Sequence, residues 1–272
     1  TGIRIATVYG GQGMGIQLDA LHRGVEIVVA TPGRLIDHLK RGSIELRDIS
    51  HIVLDEADTM LDMGFVDDIS FILDLAPEER VMSLFSATMP EGIKRIIKTY
   101  MSDDAIKIAV NESGIVNANI SHQYIKTTVR QKTADIIEFL VTKGQGRGII
   151  FCKTKLGTQA LTKELADEGF SVGALEGDMT QKDRDKVMRA FKNETVQVLI
   201  STDVSARGID VNDLEYVIHH QLPDQLEYYT HRSGRTARAG KKGISIAFIL
   251  PVEIVRLIQI QKTLGIKFND EN

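Results

Sequence analysis

A rhythm in the sequence constrains this chain more than any other feature. Short runs rich in Val and Ile alternate, from end to end, with stretches whose apolar residues recur at helical spacing. The runs fall at 3–9, 25–30, 51–55, 81–86 and 105–110, then at 122–129, 148–153, 171–177, 196–202, 216–221 and 243–250. Few of them alternate apolar with polar, so burial on both faces is expected, and that is the pattern of parallel sheets covered by helices. Helical periodicity is read at 33–42, 91–101, 131–143, 155–168, 180–192, 225–233 and 252–263. Between the two series, 111–121 (NESGIVNANIS) has no periodicity and is rich in Asn, Ser and Gly, the composition of a linker. At 272 residues there is chain enough for two domains. The expectation is an α/β chain of two tandem units, 1–112 and 122–272, joined by a linker at 113–121.

Composition removes several classes of function. With 43% hydrophobic and 26% charged residues the chain is ordinary globular material rather than a disordered segment. The apolar runs are far too short to cross a bilayer, and no charged-then-apolar leader opens the chain, so no membrane and no secretion are expected. The single cysteine, Cys152, can form no internal disulfide; a buried thiol in a reducing, cytoplasmic setting is predicted. Seven scattered histidines offer no zinc spacing. The net charge of −4 hides an asymmetry: 1–117 carries −7 and 118–272 carries +3. A mildly basic second half is compatible with phosphate contact but does not demand it.

In open parallel sheets, ligands bind at the carboxyl ends of the strands, and the unusual residues cluster there. Residues 52–61 (IVLDEADTML) end an apolar run with Asp55, Glu56 and Asp58, three carboxylates that repel one another. On its own the window reads first as a solvated turn after a buried strand. Ser86-Ala87-Thr88 follows another run, and Thr31-Pro32-Gly33-Arg34 follows a third, where a helix start offers amides to a phosphate. In the second half STDVSARGID (201–210) leaves its run with Asp203, Arg207, Gly208 and Asp210. HRSGRTARAG (231–240) places Arg232, Arg235 and Arg238 three residues apart. On a helical turn they would share one side; a solvated basic end is the plain alternative, but Gly234 and Gly240 make a poor helix terminus, and three guanidiniums look built for a multiply charged anion such as a triphosphate.

These motifs, in this order and spacing, resemble the helicase core of the DEAD-box RNA helicases. The match extends to YGG (9–11), FCKT (151–154) and Gln181-x-x-Arg184, and covers essentially the whole chain. The resemblance implies two tandem RecA-like domains with parallel sheets, ATP and Mg²⁺ as cofactors held between them, and RNA crossing both. Asp55 matches the Mg²⁺ position and Glu56 the residue that activates the attacking water, so a divalent cation would offset the clustered acids. Arg235 and Arg238 match the arginine fingers, and Gly208 and Asp210 match nucleotide-contacting positions. Gly11, Thr31, Arg34, Thr154, Gln181, Arg184 and Thr202 match the path of the RNA backbone, single-stranded or duplex. Asp58, Ser86, Thr88 and His231 match the polar links that couple hydrolysis to domain closure. A monomer is expected.

Three features depart from the family pattern. No G-x-x-x-x-G-K-[ST] occurs in the chain, and the glycine-rich 10–15 (GGQGMG) lacks the lysine. The expectation is therefore an incomplete first domain, with the phosphate loop upstream of Thr1, and little ATP turnover by this chain alone. Ala237 stands where a glycine is usual, and His219-His220 replaces a common Asn-Tyr; both histidines read as strand and strand-end residues. Two other readings stand beside the RNA helicase: an RNA- or partner-binding module without turnover, and a DNA helicase or translocase. The exact DEAD and SAT forms oppose the second. Retention of Glu56, Arg235 and Arg238 opposes the first, because only hydrolysis requires all three.

Overall fold

The computed structural model describes residues 2–109, 117–206, 211, 213–237 and 240–271. Two compact units divide the chain, Thr1–Ile108 and Ala109–Asn272. Among the described residues no helix is long and apolar enough to cross a membrane.

The first unit runs β1 (Ile5–Val8), α1 (Met14–His22), β2 (Ile27–Ala30), α2 (Pro32–Lys40), β3 (His51–Leu54), α3 (Ala57–Asp62), α4 (Val66–Asp74), β4 (Val81–Leu84) and α5 (Glu91–Tyr100). Its strands pair parallel, as their unbroken apolar runs predict, but in two separate ribbons, β1 with β2 and β3 with β4. A core of Ala57, Ile69, Leu73, Ile93 and Ile96 packs α3, α4 and α5 against β3 and β4. Helix α5 delivers Ile93 and Ile96, three residues apart on one face, into that core. Other apolar side chains of the ribbons stay in water: Val29 is 58% exposed, Val53 61% and Val81 56%. The run at 105–110 has the composition expected of a strand; among its described residues no strand forms, and Ile106 and Ile108 stand exposed. Strand propensity alone does not make a strand where no pairing forms.

The second unit runs β5 (Ile120–Lys126), α6 (Lys132–Thr142), β6 (Gly148–Phe151), α7 (Lys155–Asp167), β7 (Val172–Leu175), α8 (Gln181–Lys192), β8 (Val198–Ser201), α9 (Asp203–Ala206), β9 (Tyr216–His219), α10 (Leu226–Ser233), β10 (Gly243–Ile249), a 3₁₀ turn at Pro251–Glu253, α11 (Ile254–Leu264) and β11 (Asn269–Asp270). Ile120 and Ser121, which composition places in the linker, belong to β5. One parallel sheet results, in the order β11-β5-β10-β9-β6-β8-β7. The reason for the unbroken apolar runs is visible in β6. Ile150 faces α6 and α7 with Phe139, Leu161 and Leu165, while Ile149 and Phe151 face the opposite layer with Phe191 and Leu214. Every residue of β6, β8 and β9 is buried. Gly148 is required at the start of β6, because a Cβ there would lie 1.9 Å from the ring of its register partner Tyr216.

The contrast between the units gives the first prediction. Amide exchange protection will be highest in β6, β8 and β9, and markedly lower in β1 to β4, whose short ribbons expose apolar side chains. Equal protection of the two sets under native conditions would contradict this description of the first unit.

Candidate functional site

The three acids that end β3 do not share one role in the structure. Asp58 is buried on the first turn of α3, 7% exposed. Its Oδ1 accepts the Thr59 amide (3.0 Å), and its Oδ2 accepts both the Thr88 amide (2.8 Å) and the Thr88 hydroxyl (2.9 Å). Ser86 completes the knot: its hydroxyl donates to the Thr88 carbonyl (2.6 Å) and accepts the Asp58 amide (3.2 Å). Register explains the meeting, because β3 pairs with β4 from His51–Val81 to Leu54–Leu84 and both chains then turn on one rim. Asp55 and Glu56 remain exposed. Glu56 caps α3 in a left-handed backbone, φ 50 and ψ 46, a conformation that non-glycine residues rarely keep without a reason.

On the rim formed by β1 and β2, the structure brings Gly11, Thr31 and Arg34 together. Strand β1 ends in a turn where Gly11 takes φ +87. Thr31 caps α2, with Pro32 in the first helical position. The Thr31 amide donates to the Val8 carbonyl (2.9 Å), and Arg34 donates to the Gln12 carbonyl (2.9 Å).

In the second unit Thr154 and Thr202 leave the adjacent strands β6 and β8. Thr154 accepts the Gly157 amide (3.0 Å) and so caps α7, which leaves its own hydroxyl proton to donate outward. Thr202 is buried and bonds Ser205 (3.1 Å). Gln181 opens α8, and from that helix Arg184 donates to the Ser205 carbonyl, tying α8 to the turn after β8. All four lie on the carboxyl rim of the sheet.

The arginine series departs from the expectation. Helix α10 ends at Ser233, so Arg232 and Arg235 do not share one helical stripe. Arg232, on the last turn, is buried; its Nε and Nη2 grip Asp203 at 2.6 Å each, and its Nη1 donates to the Gln221 carbonyl (2.9 Å). Its guanidinium also stacks over Phe151, 5.0 Å from the ring centre. It is an internal brace, not a triphosphate ligand. Arg235 lies half-buried in the turn beyond, and His231 is half-buried on α10. Ala237 takes φ 57 with its methyl packed against Ile120, so the position usually held by glycine is left-handed here. Gly208, Asp210 and Arg238 lie outside the described residues.

Residues that the sequence did not single out for this region share a buried polar cluster. His219 stacks on Tyr229, with ring centres 4.7 Å apart, and bonds Ser245 (3.0 Å), while the Tyr229 hydroxyl meets His122 Nδ1 (2.6 Å). Burial lowers the His122 pKa to about 4; burial, with Arg232 alongside, holds His219 well below the ordinary range. Cys152 is likewise buried and its thiol is pushed up to about 12, an inert group. Among the described residues no group of three or more His, Cys, Asp or Glu forms a metal cage.

The neutral histidines predict acid sensitivity. Above about pH 6.5 both folded and unfolded chains hold His122 neutral, and it costs nothing. As pH falls from there toward 4 the unfolded chain takes the proton first, so folding weakens by on the order of 3 kcal/mol. His219 extends the loss to lower pH. Denaturant unfolding across this range should show the slope, and His122→Phe should reduce it; a flat profile would contradict the assignment.

Comparisons with known proteins bear on the family and the fold. A family model for DEAD/DEAH box helicases matches residues 1–96, and one for the helicase conserved C-terminal domain matches 131–240. A probable ATP-dependent RNA helicase of Methanocaldococcus jannaschii is 42% identical over 97% of this chain and 70% of its own length. The DEAD-box ATP-dependent RNA helicase RhpA of Helicobacter pylori is 40% identical over 97% of this chain, which spans 54% of that relative. Among solved structures, S. cerevisiae Dbp5 bound to RNA and ADP BeF3 superposes with a TM-score of 0.88 at 29% identity, covering 99% of this chain and 70% of that one.

Proposed function

The chain belongs to the DEAD-box RNA helicase family, and we propose that it carries the acid, arginine and RNA-contact residues of an ATP-dependent enzyme that locally unwinds RNA or remodels RNA–protein complexes. The division among the three acids supports this reading most directly. Asp58 is consumed by the Ser86–Thr88 turn, while Asp55 and Glu56 stay exposed beside it. One exposed carboxylate, Asp55, suits Mg²⁺, which keeps its waters and draws its remaining ligands from phosphate rather than from a protein cage. Mg²⁺ bound with the nucleotide supplies charge neutralisation at the phosphates. Glu56, exposed at its strained position, orients water and accepts its proton. Arg235 and Arg238 offset charge on the transferred phosphoryl group, and Gly208 and Asp210 contact the nucleotide.

RNA contact falls to Gly11, Thr31 and Arg34 in the first unit and to Thr154, Gln181, Arg184 and Thr202 in the second. Backbone amides, hydroxyls and guanidiniums of this kind read phosphate and sugar, so binding will be indifferent to sequence and sensitive to salt. Asp58, Ser86, Thr88 and His231 carry the coupling of hydrolysis to RNA binding. A monomer in the cytoplasm belongs to the same proposal, the location resting on a single cysteine that can form no internal disulfide.

These 272 residues contain no phosphate-loop motif, whose lysine and amides the other motifs cannot replace. Phosphate release by this chain, with single-stranded RNA present, is therefore expected at background; robust turnover would refute the dependence. In a longer version that supplies the loop, Glu56→Gln should abolish hydrolysis while retaining ATP-dependent RNA binding. Loss of RNA affinity in saturating ATP would instead make Glu56 a structural residue.

A further inference from the structure

We propose that Gln17 and His38 are positioning residues for RNA contact, setting the Gly10–Gly11 turn and the Arg34 guanidinium in one fixed arrangement. The inference rests on the reading of that rim as an RNA path. Both side chains are polar and buried, Gln17 at 1% and His38 at 0% exposure, on the inner faces of α1 and α2. Polar groups so buried must be satisfied, and their bonds form a single chain. The Gln17 amide nitrogen donates to the Tyr9 carbonyl (2.9 Å), on one side of Gly10–Gly11. Arg34 Nη1 donates to the Gln12 carbonyl (2.9 Å), on the other side. The same Nη1 donates to Gln17 Oε1 (3.2 Å), and His38 Nε2 lies 3.0 Å from that oxygen.

Those bonds fix protons and orientation together. With its nitrogen committed to Tyr9, Gln17 presents only an acceptor to His38, so His38 carries its proton on Nε2. Nδ1 is then an acceptor facing the Ser43 hydroxyl at 2.8 Å, whose single proton it shares with the His38 carbonyl at 3.1 Å. Burial, with Arg34 and Arg41 nearby, lowers the His38 pKa and favours this neutral form. Gly11 needs the support, since its φ of +87 is a conformation glycine samples freely and does not hold by itself. Gln17 and Arg34 bracket the turn, and His38 holds Gln17 in the one orientation that serves both.

Fluorescence anisotropy of the 272-residue chain with a short unstructured single-stranded RNA tests this across a salt series, with thermal midpoints read in parallel. Gln17→Met keeps the length and removes the amide. It should weaken binding about tenfold and reduce the slope of log affinity against log salt by about 0.7 for each phosphate that the variant no longer neutralises. Added to Arg34→Ala it should have little further effect, because the two act through the same guanidinium. Ser43→Ala, which removes the hydroxyl shared by the His38 ring and the His38 carbonyl, should shift affinity in the same direction by about twofold with the fold intact. A lower thermal midpoint with unchanged RNA affinity and salt slope in Gln17→Met and Ser43→Ala would overturn the inference alone. A wild-type chain that does not bind RNA, or a silent Arg34→Ala, would overturn the RNA reading of this rim and the inference with it.

Discussion

The buried carboxylate of Asp58 is the group on which the carboxyl rim of the first unit depends. It receives three donors, two of them from Thr88, and so joins the turn after β3 to the turn after β4. Without it the Thr88 amide would lose its partner in a half-buried turn. With it, the neighbouring Asp55 and Glu56 are presented outward from a fixed backbone. The second unit repeats the device with different groups. Asp203, just after β8, is gripped through two oxygens by Arg232 of α10, and the guanidinium is further held by the Gln221 carbonyl and the Phe151 face. In each unit one acid of the carboxyl rim is bonded internally and ties two turns together, while Asp55 and Glu56 of the first unit stay exposed.

Much of this is legible in the sequence, for a specific reason. Parallel strands covered on both faces must be apolar throughout, so β6, β8 and β9 can be read directly, and whatever polar residues follow them must lie on the rim. The helical period likewise locates α5 and α8 to within a residue or so. What stays hidden is direction. The spacing of Arg232, Arg235 and Arg238 suggests a common face, but α10 ends at Ser233 and Arg232 points into the protein. Spacing does not reveal where a helix stops or which acid waits beside it. Similarly, 105–110 has the composition of a strand, yet its described residues pair with neither ribbon of the first unit.

Buried polar residues are the second blind spot. His38, His122 and His219 lie in elements that sequence reads from their apolar pattern, Gln17 lies in a helix that it does not, and their bonds join residues on different elements. His122 and Tyr229, for instance, are 107 residues apart. A single sequence carries no sign of such pairings. Their effect is physical nonetheless: each fixes a side chain that could otherwise adopt several rotamers, and neutral burial of the histidines makes the second unit depend on pH. The two units thus differ in character. The second is a single sheet with a continuous core, whereas the first leaves apolar strand residues in water and relies more on its polar ties.

The division of labour among the three acids is the central claim, and unfolding stability measures it directly. Asp58→Ala, Asp55→Ala and Glu56→Ala should be compared by denaturant titration of the same chain at neutral pH. Asp58→Ala is expected to lower stability by about 1–3 kcal/mol, because it strands buried donors. Asp55→Ala and Glu56→Ala are expected to stay within about 0.5 kcal/mol of the parent, as for exposed side chains. A neutral Asp58→Ala, or an equal loss on replacing Asp55 or Glu56, would contradict the account.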